Sequence, residues 1–203
     1  MDARFSGEAA FAYGRRARRL IPDFEGLHAW VLQEVSDARS LLSVGCGDGE
    51  ELSRSSAPRR VGVDPSADMV QAARKRLGAS CEIIAVDIED VKETFEAVTA
   101  ILVGHFIPYE KRDAFYGSLR SRCEGTLVIA EITAPVDPEK WIEWMITNGT
   151  EPEKARSAVS VALREMMPLT QGELLSAIER QGFQLSERRW EGAPSVAFSF
   201  LTE

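Results

Sequence analysis

Short runs of apolar residues alternate with longer, mostly polar segments through the middle of the chain. The runs that predict strands are residues 40–44, 60–64, 81–86, 99–104 and 126–132. The segments between them that predict helices are residues 48–56, 66–77, 91–98 and 110–122. Continuous apolar strands separated by helices indicate a parallel sheet that is covered on both faces.

Helical patterns flank this alternating region on its N-terminal side. Residues 3–19 and 24–35 predict two helices that are broken by Pro22 and that make up an N-terminal region of residues 1–36.

The pattern changes after Ile132. The remaining predicted elements are helices 138–147 and 151–166, a helix from Thr170 to Gly182, and an antiparallel strand pair, 183–190 and 195–202. Thr150 with Glu153, and Thr170 with Glu173, have the spacing of capping boxes. The first two helices form an insertion over residues 137–168, placed to cover the carboxyl ends of the strands as a lid. We therefore predict a doubly wound, mostly parallel seven-stranded α/β sheet in one domain, residues 1–203.

Composition and charge narrow the classes of function. The 203 residues are 44% hydrophobic and 28% charged, which is ordinary for one globular domain. Cys46, Cys81 and Cys123 lie far apart with no CxxC pair, so we expect reduced thiols and no zinc or other metal site. The sequence has no apolar run of the roughly 20 residues that a membrane span needs and no secretory signal pattern, which favours a cytoplasmic protein.

The net charge of −8 argues against a nucleic-acid substrate, because proteins that grip phosphates usually carry a basic surface. One basic patch stands out, the arginines of the first helical region: Arg15, Arg16, Arg18 and Arg19. A solvated helix face and a contact with an acidic ligand or partner both explain it.

The strongest local motif is the glycine loop of LLSVGCGDGEEL. Gly45, Gly47 and Gly49 follow an apolar strand and precede a helix, so the backbone can turn sharply there and approach a ligand. The spacing differs from the dinucleotide pattern GxGxxG, and there is no GxxxxGK[ST] phosphate loop. The carboxylates of Asp48, Glu50 and Glu51 would repel a phosphate and favour a cationic ligand, although the turn could be purely structural.

Two further acidic residues follow strands. Asp64 ends the second strand, where a carboxylate can accept both hydroxyls of a ribose; its alternative role is to cap the next helix. Asp87 follows the third strand and can accept an exocyclic amine, with Ile88 against a ring, unless it is only loop acidity exposed to solvent.

These segments together resemble a known family. SVGCGDGEEL, VGVDPSADMV, AVDIED and ILVGHFIP look like the successive motifs of class I S-adenosylmethionine (SAM)-dependent methyltransferases, across residues 40–132. The resemblance implies SAM as the cofactor and the following contacts: Gly45, Cys46 and Gly47 at its methionine end, Asp64 on the ribose, Pro65 and Met69 near the nucleoside, Asp87 and Ile88 at adenine, and Gly104 and His105 beside the transferred group. Tyr13 either closes over the methionine end, as the N-terminal helix does in similar enzymes, or packs against the lid.

A narrower resemblance extends over nearly the whole chain. IPDFEGL, HFIPYEKRDAFYGSL and ERQGFQLSERRW look similar to the carboxy-SAM synthase family, whose carboxylated cofactor serves tRNA modification. That family carries an arginine after its second inserted helix, and Pro168 occupies the comparable place here. The resemblance therefore favours ordinary methyl transfer over synthesis of the carboxylated cofactor.

Methyl transfer from a sulfonium needs no obligatory catalytic side chain, since the cofactor supplies the reactivity. A general base helps when the acceptor must lose a proton, and His105 and Glu131 are the candidates at the ends of the fourth and fifth strands. Five large apolar residues of the insertion predict either core or an acceptor pocket: Trp141, Trp144, Met145, Met166 and Met167.

The function favoured is thus methyl transfer from SAM to a small molecule. A carboxy-SAM synthase-like enzyme, a tRNA-modification enzyme and a SAM-binding partner subunit without catalysis stay open as alternatives. The insertion also offers a contact for a homodimer.

Overall fold

A seven-stranded sheet forms the centre of the chain in a computed structural model that describes residues 7–11 and 13–202. Its strands are β1 (Ser40–Val44), β2 (Arg59–Val63), β3 (Glu82–Ile84), β4 (Phe95–Ile101), β5 (Cys123–Ile132), β6 (Phe183–Gly192) and β7 (Ser195–Thr202). Their order across the sheet is β3-β2-β1-β4-β5-β7-β6. Strand β7 is antiparallel to both neighbours, and the other pairs are parallel. The predicted doubly wound α/β fold is confirmed.

Helices cover both faces of the sheet. They are α1 (Gly7–Phe11), α2 (Tyr13–Leu20), α3 (Phe24–Glu34), α4 (Glu50–Arg54), α5 (Ala67–Leu77), α6 (Tyr109–Arg122), α7 (Pro138–Thr147), α8 (Pro152–Glu165) and α9 (Gln171–Glu179). The prediction of a helix over 3–19 includes residues 3–6 and 12, which lie outside the described part of the chain. No described helix combines the length and the apolar character needed to traverse a bilayer.

Two hydrophobic layers result from the alternation of side chains along the strands. On the first face, Leu41 and Val128 pack with the N-terminal helices α2 and α3 and with the inserted helices α7 and α8. On the second face, Leu42 and Leu127 pack with α6 and α9. The N-terminal region and the insertion therefore share one side of the sheet, and α6 and α9 take the other.

The predicted helical segment 91–98 is wrong. Its second half is the start of β4, and a short 3₁₀ turn at Ile88–Asp90 precedes it. Phe95, Ala97 and Val98 are almost completely buried in the sheet, so tertiary burial decides the structure of a segment whose local pattern is ambiguous.

One of the two predicted capping boxes is absent. Helix α8 begins at Pro152 with Glu151 as its N-cap and without a side-chain hydrogen bond, while the Thr150 N–H donates to Met145 O at the end of α7. The second box is confirmed, because the Thr170 and Glu173 side chains each accept the other's backbone N–H.

Glu51 is a carboxyl group buried between α4 and the sheet. Its Oε2 accepts a 2.9 Å hydrogen bond from the Ser43 hydroxyl, and its Oε1 has no partner among the described residues. Burial raises the pKa of Glu51 from its ordinary 4.5 to about 7, although hydrogen bonds from Thr99 and Ser43 oppose the shift. The folded chain therefore favours protonated Glu51, and this contribution to stability is complete below pH 4.5 and lost as the pH rises through about 7.

We expect Glu51→Gln to remove this pH dependence. Relative to the wild type, the variant should gain about 3 kcal/mol in free energy of unfolding between pH 4.5 and pH 8, from a shift of about 2.5 pKa units. Urea denaturation at several pH values measures the gain, with exposed Glu143→Gln as the control. Parallel pH profiles for wild type and Glu51→Gln would contradict the burial of a titrating carboxyl.

Candidate active site

The glycine loop turns directly from β1 into α4. Gly45, Gly47 and Gly49 all have positive φ, at 62°, 54° and 77°, a region in which a side chain would be strained. The Cys46 N–H donates to Val63 O at 3.0 Å, which ties the loop to the end of β2. The loop thus lies at the carboxyl edge of the sheet, where open α/β sheets bind ligands.

Asp64 stands next to this loop, immediately after β2. Its carboxylate accepts the Gly47 N–H at 3.0 Å and the Ser66 N–H at 2.8 Å. Burial raises the pKa of the Asp64 carboxyl, opposed by these two hydrogen bonds and reinforced by the charge of Asp87. Two oxygens offer about four acceptor positions, so the carboxylate can still accept further donors.

The structure brings several predicted residues together around Gly47. A methyl group added there would lie 3.3 Å from Met69 Cε and 3.4 Å from Tyr13 Cε1, so both side chains border the loop. Met69 is fully buried at the start of α5, and Ser66 caps that helix by accepting the Met69 N–H.

The other residues predicted to contact the cofactor differ in how deeply they are buried. Ile88 is buried while Asp87 and Pro65 are exposed at the same edge. Cys46 is half-buried, and burial raises the pKa of its thiol, which keeps it neutral. Gly104 lies in a 3₁₀ turn after β4.

The expected role of the loop carboxylates is wrong. Arg76 on α5 pairs with Asp48 at 2.7 Å and also with Glu50, whose other oxygen lies 2.6 Å from Arg18. Burial alone would raise the pKa of Glu50, but the hydrogen bond from Arg18 and the charges of Arg76 and Arg18 outweigh it and lower that pKa. Since Glu51 turns into the core, these carboxylates act within the protein rather than on a cationic ligand.

The same ion pairs explain part of the basic patch. Arg18 bridges Glu25 and Glu50, whereas Arg15 and Arg19 are exposed. Helix α2 approaches the loop closely because Gly14 has no side chain: a Cβ there would lie 2.6 Å from Asp48 Oδ2. Helix α2 therefore forms a cover over the glycine loop, held by charge and by a small residue.

The insertion is joined to this cover. The Trp141 indole N–H on α7 donates to Leu20 O at 2.6 Å, and the Trp141 side chain is buried. Met145 and Met166 are also buried in the same layer, whereas Trp144 packs at its border. These residues form core between the insertion and the N-terminal helices.

His105 and Glu131 form a buried pair. Glu131 Oε2 lies 2.5 Å from His105 Nδ1 and accepts the His105 backbone N–H at 3.0 Å, while Oε1 accepts the Gly104 N–H at 2.5 Å. Because a carboxylate only accepts, Nδ1 carries a proton in this contact, and a lone pair in the neutral ring would therefore be on Nε2. Within the described chain no hydrogen bond involves Nε2, and the His105 side chain is buried.

Four residues that the sequence patterns did not single out belong to these sites: Gly14, Arg76, Arg112 and Tyr116. A glycine inside the arginine-rich helix YGRRARRL was the one signal of a close approach. Arg112 and Tyr116 are four residues apart on α6 and flank the His105–Glu131 pair, but nothing in their spacing distinguishes them from a helix face.

Comparisons with known proteins show which domain and which fold the chain resembles. Residues 41–124 match the model of a family described as a methyltransferase domain. No curated protein sequence matches the chain significantly.

Solved structures with similar folds include three methyltransferases. A plantazolicin methyltransferase, solved with a substrate analogue and the demethylated product SAH, has a TM-score of 0.70 at 12% identity over 97% of this chain and 91% of that chain. Magnesium protoporphyrin IX methyltransferase from Synechocystis, with bound SAH, has a TM-score of 0.66 at 13% identity over 100% and 90%. A putative methyltransferase from Haloferax volcanii, in complex with an activator protein, has a TM-score of 0.67 at 12% identity over 99% and 97%.

The resemblance to class I SAM-dependent methyltransferases is confirmed for the domain and the fold. The likeness to carboxy-SAM synthases and the roles of individual site residues stay predictions.

A double-mutant cycle on Arg18→Met and Glu50→Gln tests the charge-held cover, because Arg18 is the α2 residue that pairs with Glu50. We expect a coupling energy of roughly 1–3 kcal/mol in urea denaturation, because both partners share one partly buried network. The exposed pair Arg59 and Glu93 serves as the control and should couple much more weakly. Equal coupling in the two pairs would show that the network does not fasten α2.

Proposed function

We propose that this chain, which contains a methyltransferase domain on the class I fold, is an enzyme that transfers the methyl group of SAM to a small-molecule acceptor. The observation that supports it most is the position of the Asp64 carboxylate. It borders the glycine loop at the ends of adjacent strands β1 and β2, beneath the cover formed by helix α2.

The residues present fit SAM. Asp64 offers acceptor positions for the ribose hydroxyls, and the neighbouring charge of Asp87 suits the exocyclic amine of adenine, with buried Ile88 beside the ring. The glycine loop gives backbone access at the methionine end, and Tyr13 closes that end from α2. SAM supplies, when bound, a methyl group on a positively charged sulfur that nucleophiles attack.

The chain's own contribution is to position the acceptor and to hold a proton. His105 Nε2 can take a proton from an acceptor hydroxyl or amine, and Glu131 orients the imidazole by accepting from Nδ1. In this proposal His105 is the catalytic residue. Glu131 is a positioning residue, because its oxygens are engaged by the backbone and ring N–H groups of the turn.

The insertion sets the acceptor side of the site. The end of the insertion is hydrogen-bonded to the turn that carries His105, because the Met167 N–H donates to His105 O at 2.8 Å. Residues 137–168 therefore act as a cover that excludes water and selects the acceptor, in the manner of active-site lids. The acidic chain as a whole favours a small acceptor over a nucleic acid.

Ordinary SAM is preferred over its carboxylated relative in this proposal. Pro168 has no side-chain charge, and its carbonyl accepts from the Tyr109 hydroxyl at 3.3 Å. Mass spectrometry of the nucleoside that copurifies with the chain distinguishes the two cofactors by one carboxyl group.

Calorimetry with SAM tests the cofactor site. We expect Asp64→Asn to weaken SAM binding about tenfold to a hundredfold, because charge-assisted hydrogen bonds contribute about 1.5–3 kcal/mol. Exposed Asp90→Asn is the control and should bind as the wild type does. Tighter binding of NAD than of SAM, or unchanged SAM affinity in Asp64→Asn, would refute this site.

Methyl transfer with radiolabelled SAM and a panel of small hydroxyl and amine acceptors tests the role of His105 as a general base. We expect His105→Asn to lower turnover about a hundredfold or more while SAM affinity stays within about threefold, as for loss of a general base. The only other histidine, His28 on α3, provides the matched control His28→Asn, with folding of both variants checked by circular dichroism. Full activity of His105→Asn would show that positioning alone suffices.

A further inference from the structure

A cleft of about 390 Å³ lies between helices α6 and α9. This volume falls within the range of small-molecule pockets, about 300–1,000 Å³. The cleft opens on the second face of the sheet, away from α2, α7 and α8, so it does not belong to the cofactor site. Its inner wall, Arg112 and Tyr116, also borders the His105–Glu131 pair.

The cleft has a buried positive charge at its base. Arg112 is only 4% exposed, and its guanidinium donates from Nε to Ile107 O at 3.0 Å and from Nη2 to Met167 O. It also lies 4.5 Å from the centre of the Tyr109 ring. No described carboxylate lies within ion-pair distance of Arg112, and Nη1 has no acceptor among the described residues. A buried charge without a directly paired counter-charge is costly, which favours an anion at this place.

The carboxylates at the rim are engaged elsewhere. Asp113 accepts from the Gln181 side chain at 3.1 Å and lies 3.8 Å from Arg180. Glu173 accepts the N–H and the hydroxyl of Thr170 at 2.8 Å each, as the capping box of α9. The Thr170 hydrogen bonds, and to a lesser extent the charge of Arg112, lower the pKa of Glu173, but neither carboxylate contacts Arg112 directly.

The remaining walls are mostly apolar. Leu169, Ala177 and the ring of Tyr116 line the cleft beside Arg112, and Ser176 stands exposed at its mouth. A bare inorganic anion would leave these walls in contact with water, whereas a carboxylate with a hydrophobic body would cover them.

We propose that the cleft between α6 and α9 binds a small organic carboxylate with an aromatic or branched apolar body. The carboxylate pairs with Arg112, and the body lies against Leu169 and Ala177. Because Arg112 also holds the carbonyls of Ile107 and Met167, the ligand would brace the turn that carries His105 against the end of the insertion.

Titrations of the full chain with benzoate, benzamide and inorganic phosphate, followed by NMR, test this proposal. We expect saturable shifts at Leu169, Ser176 and Ala177 with benzoate, and binding at least about tenfold weaker for the neutral benzamide, which lacks the charge-assisted contact. Phosphate should bind more weakly than benzoate because it leaves the apolar walls uncovered.

Two variants locate the site. Ser176→Trp fills the mouth of the cleft and should weaken benzoate binding more than about tenfold, while SAH affinity is unchanged. Ser157→Trp, at an exposed position on α8, is the control and should bind benzoate as the wild type does. The proposal is overturned by equal binding of benzoate and benzamide, by phosphate binding as tightly as benzoate, by no saturable shift below about 10 mM benzoate, or by unchanged benzoate binding in Ser176→Trp. Failure of the wild-type chain to bind SAH would instead contradict the proposed cofactor site and would leave the test of the cleft unaffected.

Discussion

The glycine loop carries two buried carboxylates, Asp48 and Glu50, and arginines neutralise both of them beside the proposed cofactor site. Arg76 from α5 and Arg18 from α2 supply the positive charges, so α2 is drawn down onto the loop. Removing one partner of such a group leaves an uncompensated charge, which is far more destabilising than an exposed pair is stabilising. The position of the cover over the cofactor site therefore depends on this network.

The two faces of the sheet are covered by different helices. The first face carries α2 and the insertion, and the hydrogen bond from Trp141 to Leu20 O joins them into one packed layer. The second face carries α6 and α9 with the buried Arg112 between them. The His105–Glu131 pair lies where these parts meet, since Met167 from the insertion and Arg112 from α6 both bind within two residues of His105.

Much of this arrangement was predictable, because strand–helix alternation and glycine-loop spacing are local signals. The alternation of strands and helices led to the fold and to the position of Asp64 after β2, and the two apolar runs after Gly182 led to the pairing of β6 with β7. Segment 91–98 was not predictable, since burial of Phe95 against the sheet decides it. The role of the loop carboxylates was not predictable either. The sequence shows three acidic residues beside the loop, but it does not show that arginines some 30 residues away along the chain neutralise two of them.

In the proposed function, SAM binds between the glycine loop and helix α2, and α2 and the insertion close over it as one layer. Hydrogen exchange of the wild-type chain with and without SAH tests this most directly. We expect SAH to slow exchange in residues 45–49, 13–20 and 138–147 together, with little change in α6, residues 109–122. Slowing confined to the loop, or no change in residues 13–20, would contradict a cofactor site beneath a shared cover.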